Sequence, residues 1–180
     1  MTAEQKNLLL HVCCGPCAAG CVDRIPEGWQ PVLFFSNSNI ATRAEYDRRL
    51  AEVHKLSAIT RLRVVEDDYN HDAWLAAVAG LEREPEGGAR CRRCFRFNLS
   101  RAARKAAELG CARFTTTLTV SPRKNSAQIF EAGRESGPFL DVDFKKQDGF
   151  AHSVAMSRQY GMYRQASCGC EFAPARPVLS

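Results

Sequence analysis

The 180-residue chain has no apolar run approaching the roughly 20 residues that a membrane-spanning helix requires. Its first six residues lack the basic start, the apolar stretch and the small-residue cleavage site of a secretory signal. Repeats, heptads, linkers and low-complexity tracts are missing too, so nothing supports a second domain. At 45% hydrophobic residues, a chain of this length can bury a core without cross-links. These absences predict one soluble, cytoplasmic domain over residues 1–180, with no membrane partner. A formal charge of +5 is too small a surplus to decide for or against nucleic acid.

Cysteine is what the chain has in plenty. Nine is an odd number, no export signal accompanies it, and the core needs no staples, so a disulfide framework is the weaker reading. Reactive or metal-binding thiols are the stronger one.

Short apolar runs at 8–12 and 31–35 read as buried strands. The first enters a Gly-Pro loop at Cys13-Cys14-Gly15-Pro16-Cys17, and the second ends in the turn formers Ser36-Asn37-Ser38-Asn39. Further strands are predicted at 61–65, 114–120 and 139–144, and helices at 42–56, 72–79, 95–109, 126–134 and 153–160, with a loop over 84–88 ending just before Cys91. Strands alternating with helices predict a three-layer, Rossmann-like α/β fold with a mainly parallel sheet, in which ligands bind beyond the carboxyl ends of strands. The Cys13–Cys17 loop lies at such an end.

Seven cysteines fall in three groups: Cys13, Cys14 and Cys17; Cys91 and Cys94; Cys168 and Cys170. Thiolates suit soft metals and iron–sulfur clusters, and four suffice for a cubane. If the Gly-Pro turn bends Cys13 and Cys14 towards one centre, they complete a four-sulfur set with Cys91 and Cys94. Cys168-Gly169-Cys170 could then close a redox disulfide, since glycine tolerates the backbone of so small a ring. Cys17 is left over, either as a ligand to a second metal with the Cys168/Cys170 pair or as a thiol that shuttles electrons. Structural zinc on Cys91-Arg92-Arg93-Cys94 plus another pair, in an RNA-binding module, is the competing reading, and a metal-free thiol–disulfide exchanger is a third. Cys21 and Cys111 read as ordinary small buried thiols.

Arg90, Arg92, Arg93, Arg96, Arg123, Lys124, Lys145, Lys146 and Arg164 could meet nucleic-acid phosphates or simply face solvent. His11 could be a buried strand residue or a donor to a cluster sulfur. Asp67 and Asp68 could supply a proton or close a turn, Trp74 and Tyr163 could stack on a base, and Asn37 and Asn39 could line a pocket.

Four segments together carry a family resemblance: His11-Val12-Cys13-Cys14-Gly15-Pro16-Cys17; Cys91-Arg92-Arg93-Cys94-Phe95-Arg96; Thr115-Thr116-Thr117-Leu118 with Ser121-Pro122-Arg123-Lys124-Asn125; and Tyr163-Arg164-Gln165 leading to Cys168-Gly169-Cys170. In order and spacing, over nearly the whole chain, they resemble the QueH-type epoxyqueuosine reductases. The resemblance implies an enzyme of queuosine biosynthesis that reduces the epoxide of epoxyqueuosine at the tRNA wobble position, with a [4Fe-4S] cluster, an external low-potential electron donor and no cobalamin. It also implies a fold similar to the adenine-nucleotide alpha-hydrolase-like group. By motif, Cys13, Cys14, Cys91 and Cys94 would ligate the cluster and Cys168 with Cys170 would form the redox-active pair, with Cys17 beside them as a third catalytic candidate.

Overall fold

A computed structural model of the chain describes residues 6–174 and 176–178. Its elements run β1 (Lys6–Val12), α1 (Gly15–Ala19), β2 (Trp29–Phe35), α2 (Arg43–Thr60), β3 (Val64–Glu66), α3 (His71–Val78), α4 (Ala89–Glu108), β4 (Arg113–Thr116), α5 (Ser126–Ser136) and α6 (Gly149–Gln159). Among the described residues the sheet has four strands in the order β3-β2-β1-β4, all parallel. Because helices cover both faces, β1 is apolar without alternation, and Leu8, Leu9 and Leu10 are all fully buried. Leu10, Val12, Leu33 and Phe35 pack on one face with Val53 and Leu56 of α2, whereas Leu9, Phe34 and Phe114 pack on the other with Leu99 and Ala102 of α4 and Ile129 of α5. The predicted three-layer α/β architecture is the observed one.

The strand order decides where a ligand can bind. After β1 the chain moves outward to β2 and β3, then returns to place β4 on the opposite side of β1, so the crossovers on either side of β1 diverge. Such a reversal opens a crevice beyond the carboxyl ends of the two strands that flank it. His11 fixes the register there: Nδ1 meets Thr116 Oγ1 at 2.8 Å and Nε2 meets the Ser36 carbonyl at 2.9 Å. A carbonyl only accepts, so Nε2 carries the proton and the Thr116 hydroxyl donates to Nδ1. Burial lowers the His11 pKa, consistent with this neutral ring. His11 therefore ties three strand ends together and is not a donor to sulfur.

Several boundaries differ from expectation. The Gly-Pro segment starts a helix: Cys14 is the N-cap of α1 and Pro16 lies in the first turn, where a missing N–H costs nothing. Residues 114–120 are a strand only as far as Thr116, because the Thr116 hydroxyl accepts from Leu118 N–H and turns the chain into a 3₁₀ segment at Thr117–Val120. In place of a strand at 139–144, Phe139 makes one isolated parallel bridge to Phe114. Helix α4 begins at Ala89, earlier than predicted, and so includes Cys91 and Cys94. No helix among the described residues is long and apolar enough to cross a membrane.

Gly15 lets α1 approach α2 closely. A β-carbon added there would stand 2.6 Å from Glu52 Cβ and 2.8 and 2.9 Å from the Glu52 backbone carbon and oxygen. We expect Gly15→Ala to force the two helices apart and to lower stability by about 1–3 kcal/mol, read as an earlier urea midpoint in the metal-free protein. An unchanged midpoint would show that the contact is slack.

Candidate functional site

Three segments deliver the cysteines to the crevice. Cys14, as N-cap, and Cys17, three residues later, face the same end of α1, and Cys17 N–H donates to Cys14 Sγ at 3.4 Å. Cys13 follows β1 directly and is held from across the switch point: its N–H donates to Thr117 Oγ1 at 3.1 Å, and that hydroxyl lies 3.3 Å from Cys13 Sγ. The sulfurs of Cys13, Cys14 and Cys17 all lie within 4.8 Å of one another, a set that could hold a metal ion. Cys17, set apart in the sequence reading, is thus brought in with the other two.

Cys91 and Cys94 sit one turn apart on α4, so both sulfurs leave the same face of the helix. Each accepts an N–H: Gly87 reaches Cys91 Sγ at 3.2 Å and Trp74 Nε1 reaches Cys94 Sγ at 3.3 Å. Trp74 is buried against His71 and Phe172 with its indole committed to sulfur, so it does not offer a face to a base. Cys168 and Cys170 lie in irregular chain after α6, with Gly169 between them at a φ of +105° that suits glycine. Their sulfurs stand 3.8 Å apart as separate thiols.

What anchors that last segment is Arg49, a residue without a sequence signal. It is only 4% exposed, ion-paired to Glu45 at 2.7 Å, and donates to the carbonyls of Cys168 at 3.0 Å and Ser167 at 3.3 Å. Asn39 Nδ2 adds a bond to the Cys168 carbonyl at 3.3 Å, and Ala41 N–H one to the Gly169 carbonyl at 2.9 Å. Asn37 and Asn39 do line the cavity, although Asn37 also ties the end of β1 through Val12 O.

One cavity is lined by Cys13, Cys17, Cys91, Cys94, Cys168 and Cys170 together, with Cys14 buried behind its wall. Cys21 and Cys111 stay in the core, as expected of ordinary thiols. Crowding splits the acidities. Hydrogen bonds from Cys14 and Cys17, with help from Lys124, hold Cys13 well below the ordinary thiol range, whereas burial pushes Cys14 and Cys94 up to about 12. In the terminal pair, the hydrogen bond from Cys170 brings Cys168 down to about 5, and the same bond raises Cys170. Burial disfavours the Lys124 ammonium, yet the sulfurs of Cys168, Cys13, Cys17 and Cys14 hold its pKa above the ordinary value. Lys124 is therefore a counter-charge to the thiols before it is a candidate for phosphate.

Other basic residues are also reassigned. Arg90 is 2% exposed and spends its guanidinium on the carbonyls of Leu81, Glu82 and Glu84. Lys145 donates to the Lys124 carbonyl, and Arg96 pairs with Glu135. Arg92 and Arg93 are exposed on α4 beside the second cysteine pair. Asp67 is not placed as a proton donor, since burial is outweighed by Arg101 at 2.5 Å and Ser36 at 2.6 Å, which keep its pKa low. Tyr163 lies against Arg48 and Glu45, outside the cavity wall.

Comparison with known proteins agrees with this geometry. A family model described as "Epoxyqueuosine reductase QueH" matches residues 8–176. Curated relatives with that name include a Streptococcus pyogenes serotype M1 protein, 38% identical over 94% of this chain and 71% of its own length. The Staphylococcus epidermidis relative is 33% identical over 94% of this chain and 77% of its own, and the Thermotoga maritima relative 33% identical over 93% and 90%. Agreement of this extent sets aside a non-enzymatic RNA-binding module: the chain belongs to the QueH family of epoxyqueuosine reductases and is an oxidoreductase.

Proposed function

We propose that this protein reduces epoxyqueuosine to queuosine at the tRNA wobble position, in the cytoplasm and without cobalamin, as a single iron–sulfur domain. The observation that carries the reading is the convergence of three cysteine groups, distant in sequence, on one cavity at the β1/β4 switch point. Cys13, Cys14, Cys91 and Cys94 would hold a [4Fe-4S] cluster. The donor chemistry fits that group: sulfur dominates the set, and N–H groups of Gly87 and Trp74 already point at two of the sulfurs. Cys17, which lines the same cavity, would be a third catalytic thiol, whether by passing electrons or by holding a second metal ion with Cys168 and Cys170.

Opening the epoxide to an alkene consumes two electrons and two protons and releases one water. The Cys168–Cys170 dithiol carries that complement, since closing it to a disulfide releases two electrons and two protons. When bound, the cluster supplies single electrons from an external low-potential donor, which can return the disulfide to the dithiol. Lys124 holds negative charge on the sulfurs, Arg49 and Asn39 fix the backbone of the redox pair, and Arg92 and Arg93, exposed next to Cys91 and Cys94 in the chain, offer charge to the tRNA backbone.

Protein purified anaerobically should be brown, with a broad band near about 400 nm and about four irons per chain. Replacing Cys168 and Cys170 together with serine should keep the colour while turnover of epoxyqueuosine-containing tRNA falls by more than about 100-fold. A colourless protein with stoichiometric zinc, or full turnover by the double variant, would end the proposal. In the metal-free, reduced protein the first proton should leave the terminal pair near pH 5. Iodoacetamide labelling of Cys168 should rise with pH through that value and reach its plateau before pH 7, and a midpoint near about 8.5, as for a free thiol, would refute the pairing.

A further inference from the structure

Asn98 on α4 and Gln165 in the segment after α6 line the same cavity and share an arrangement. Asn98, buried to 3% exposure, donates through Nδ2 to Asn39 Oδ1 at 3.0 Å and lies 3.6 Å from Cys94 Sγ. Gln165, on the same cavity wall, acts on the buried Cys14 thiol and favours its charged form. For Asn98 the amide orientation is set: NH₂ faces the Asn39 oxygen and the Cys94 sulfur, and the carbonyl oxygen faces away. The two carbonyl oxygens, Asn98 Oδ1 and Gln165 Oε1, are buried without a hydrogen-bond partner. Gln128 Oε1 is a third such oxygen on the wall.

Buried acceptors of this kind are costly unless a donor arrives to meet them. The sulfurs around them cannot, being acceptors or weak donors themselves. The wall at these oxygens therefore suits a ligand that brings donors to them, while Lys124 and Arg123 of the same cavity supply the positive charge. Hydroxyls and an ammonium have the required chemistry, and the cyclopentane of epoxyqueuosine has both: two hydroxyls beside the epoxide, and a protonated secondary amine joining it to the base.

We propose that Asn98 and Gln165 bind the substrate's hydroxyl and ammonium donors, and by gripping the ring from two elements set its epoxide towards the thiols and determine specificity. The inference rests on the proposed function and sharpens it to named contacts. One amide thus serves two masters, holding a cysteine with its nitrogen and the substrate with its oxygen.

The test uses Gln165→Met and Asn98→Leu in the metal-loaded full chain, on tRNA carrying epoxyqueuosine and on tRNA carrying an analogue that lacks one ring hydroxyl. Each variant should raise KM for the natural substrate by about 10- to 100-fold, the cost of leaving a polar substrate group unpaired. Iron content should stay at the wild-type level, while Asn98→Leu shifts the visible band and lowers the melting temperature modestly, since the nitrogen's bonds to Cys94 and Asn39 go as well. At least one variant should lose nothing further on the analogue, because the bond it removes is already absent there. An unchanged KM would overturn the inference, as would an equal loss on both substrates by both variants, or loss of iron, each of which assigns the amides a structural role alone. Failure of the wild type on the natural substrate, by contrast, would overturn the proposed function itself.

Discussion

Thiolates repel one another, and the cavity is arranged around that repulsion. Three sulfurs within 4.8 Å cannot all ionise without compensation, so the first proton lost is concentrated on Cys13 while Cys14 and Cys17 are pushed up as its hydrogen-bonding neighbours. Lys124 supplies the positive charge, and Gly87, Trp74 and Thr117 supply dipoles. The sheet is what brings those groups together. Thr117 follows β4 and Cys13 follows β1, and the two strands are neighbours only because the chain reverses its lateral direction between them.

The apolar strands and most helices were legible because burial on both faces leaves a direct mark. Residues 8–12, apart from His11, and 31–35 are apolar runs, and the strands contain them. Where local chemistry overrides composition, structure and sequence pattern part in identifiable ways. Gly87-Gly88 reads as the end of a loop, but Gly88 is the N-cap of α4, and the arginines around Cys91 and Cys94 hide a helical turn that places both sulfurs on one face. At Thr116 a side-chain bond to Leu118 N–H ends a threonine-rich run that otherwise has every mark of a strand. Residues 139–144 have strand-like composition, but after the bridge at Phe139 their neighbours are the 3₁₀ segment and α5 instead of another strand.

For the site, cysteine clustering identified which residues matter, while charged and amide residues were legible only as types. Arg90 and Lys124 belong to stretches that look alike in sequence, yet one caps three carbonyls and the other faces four sulfurs. Arg49 lies in a charged helix with no feature to separate it from Arg48, and helical phase alone turns it inward to Cys168, 119 residues away in sequence. Such pairings depend on long-range register, which local composition does not encode.

The same register explains how the proposed redox pair can sit on irregular chain without being loose. Arg49, Asn39 and Ala41 all grip carbonyl oxygens of the 167–169 segment, and none of those bonds uses a sulfur. A thiol pair held through its own side chains would weaken its anchorage each time it changed oxidation state. Held through the backbone, Cys168 and Cys170 can alter their bonding while the segment stays on α2. Gly169 completes the arrangement: a β-carbon there would lie 3.1 Å from Ile40 and 3.2 Å from the Arg49 guanidinium, so the residue that takes the positive φ between the two cysteines also makes room for the arginine that holds their segment.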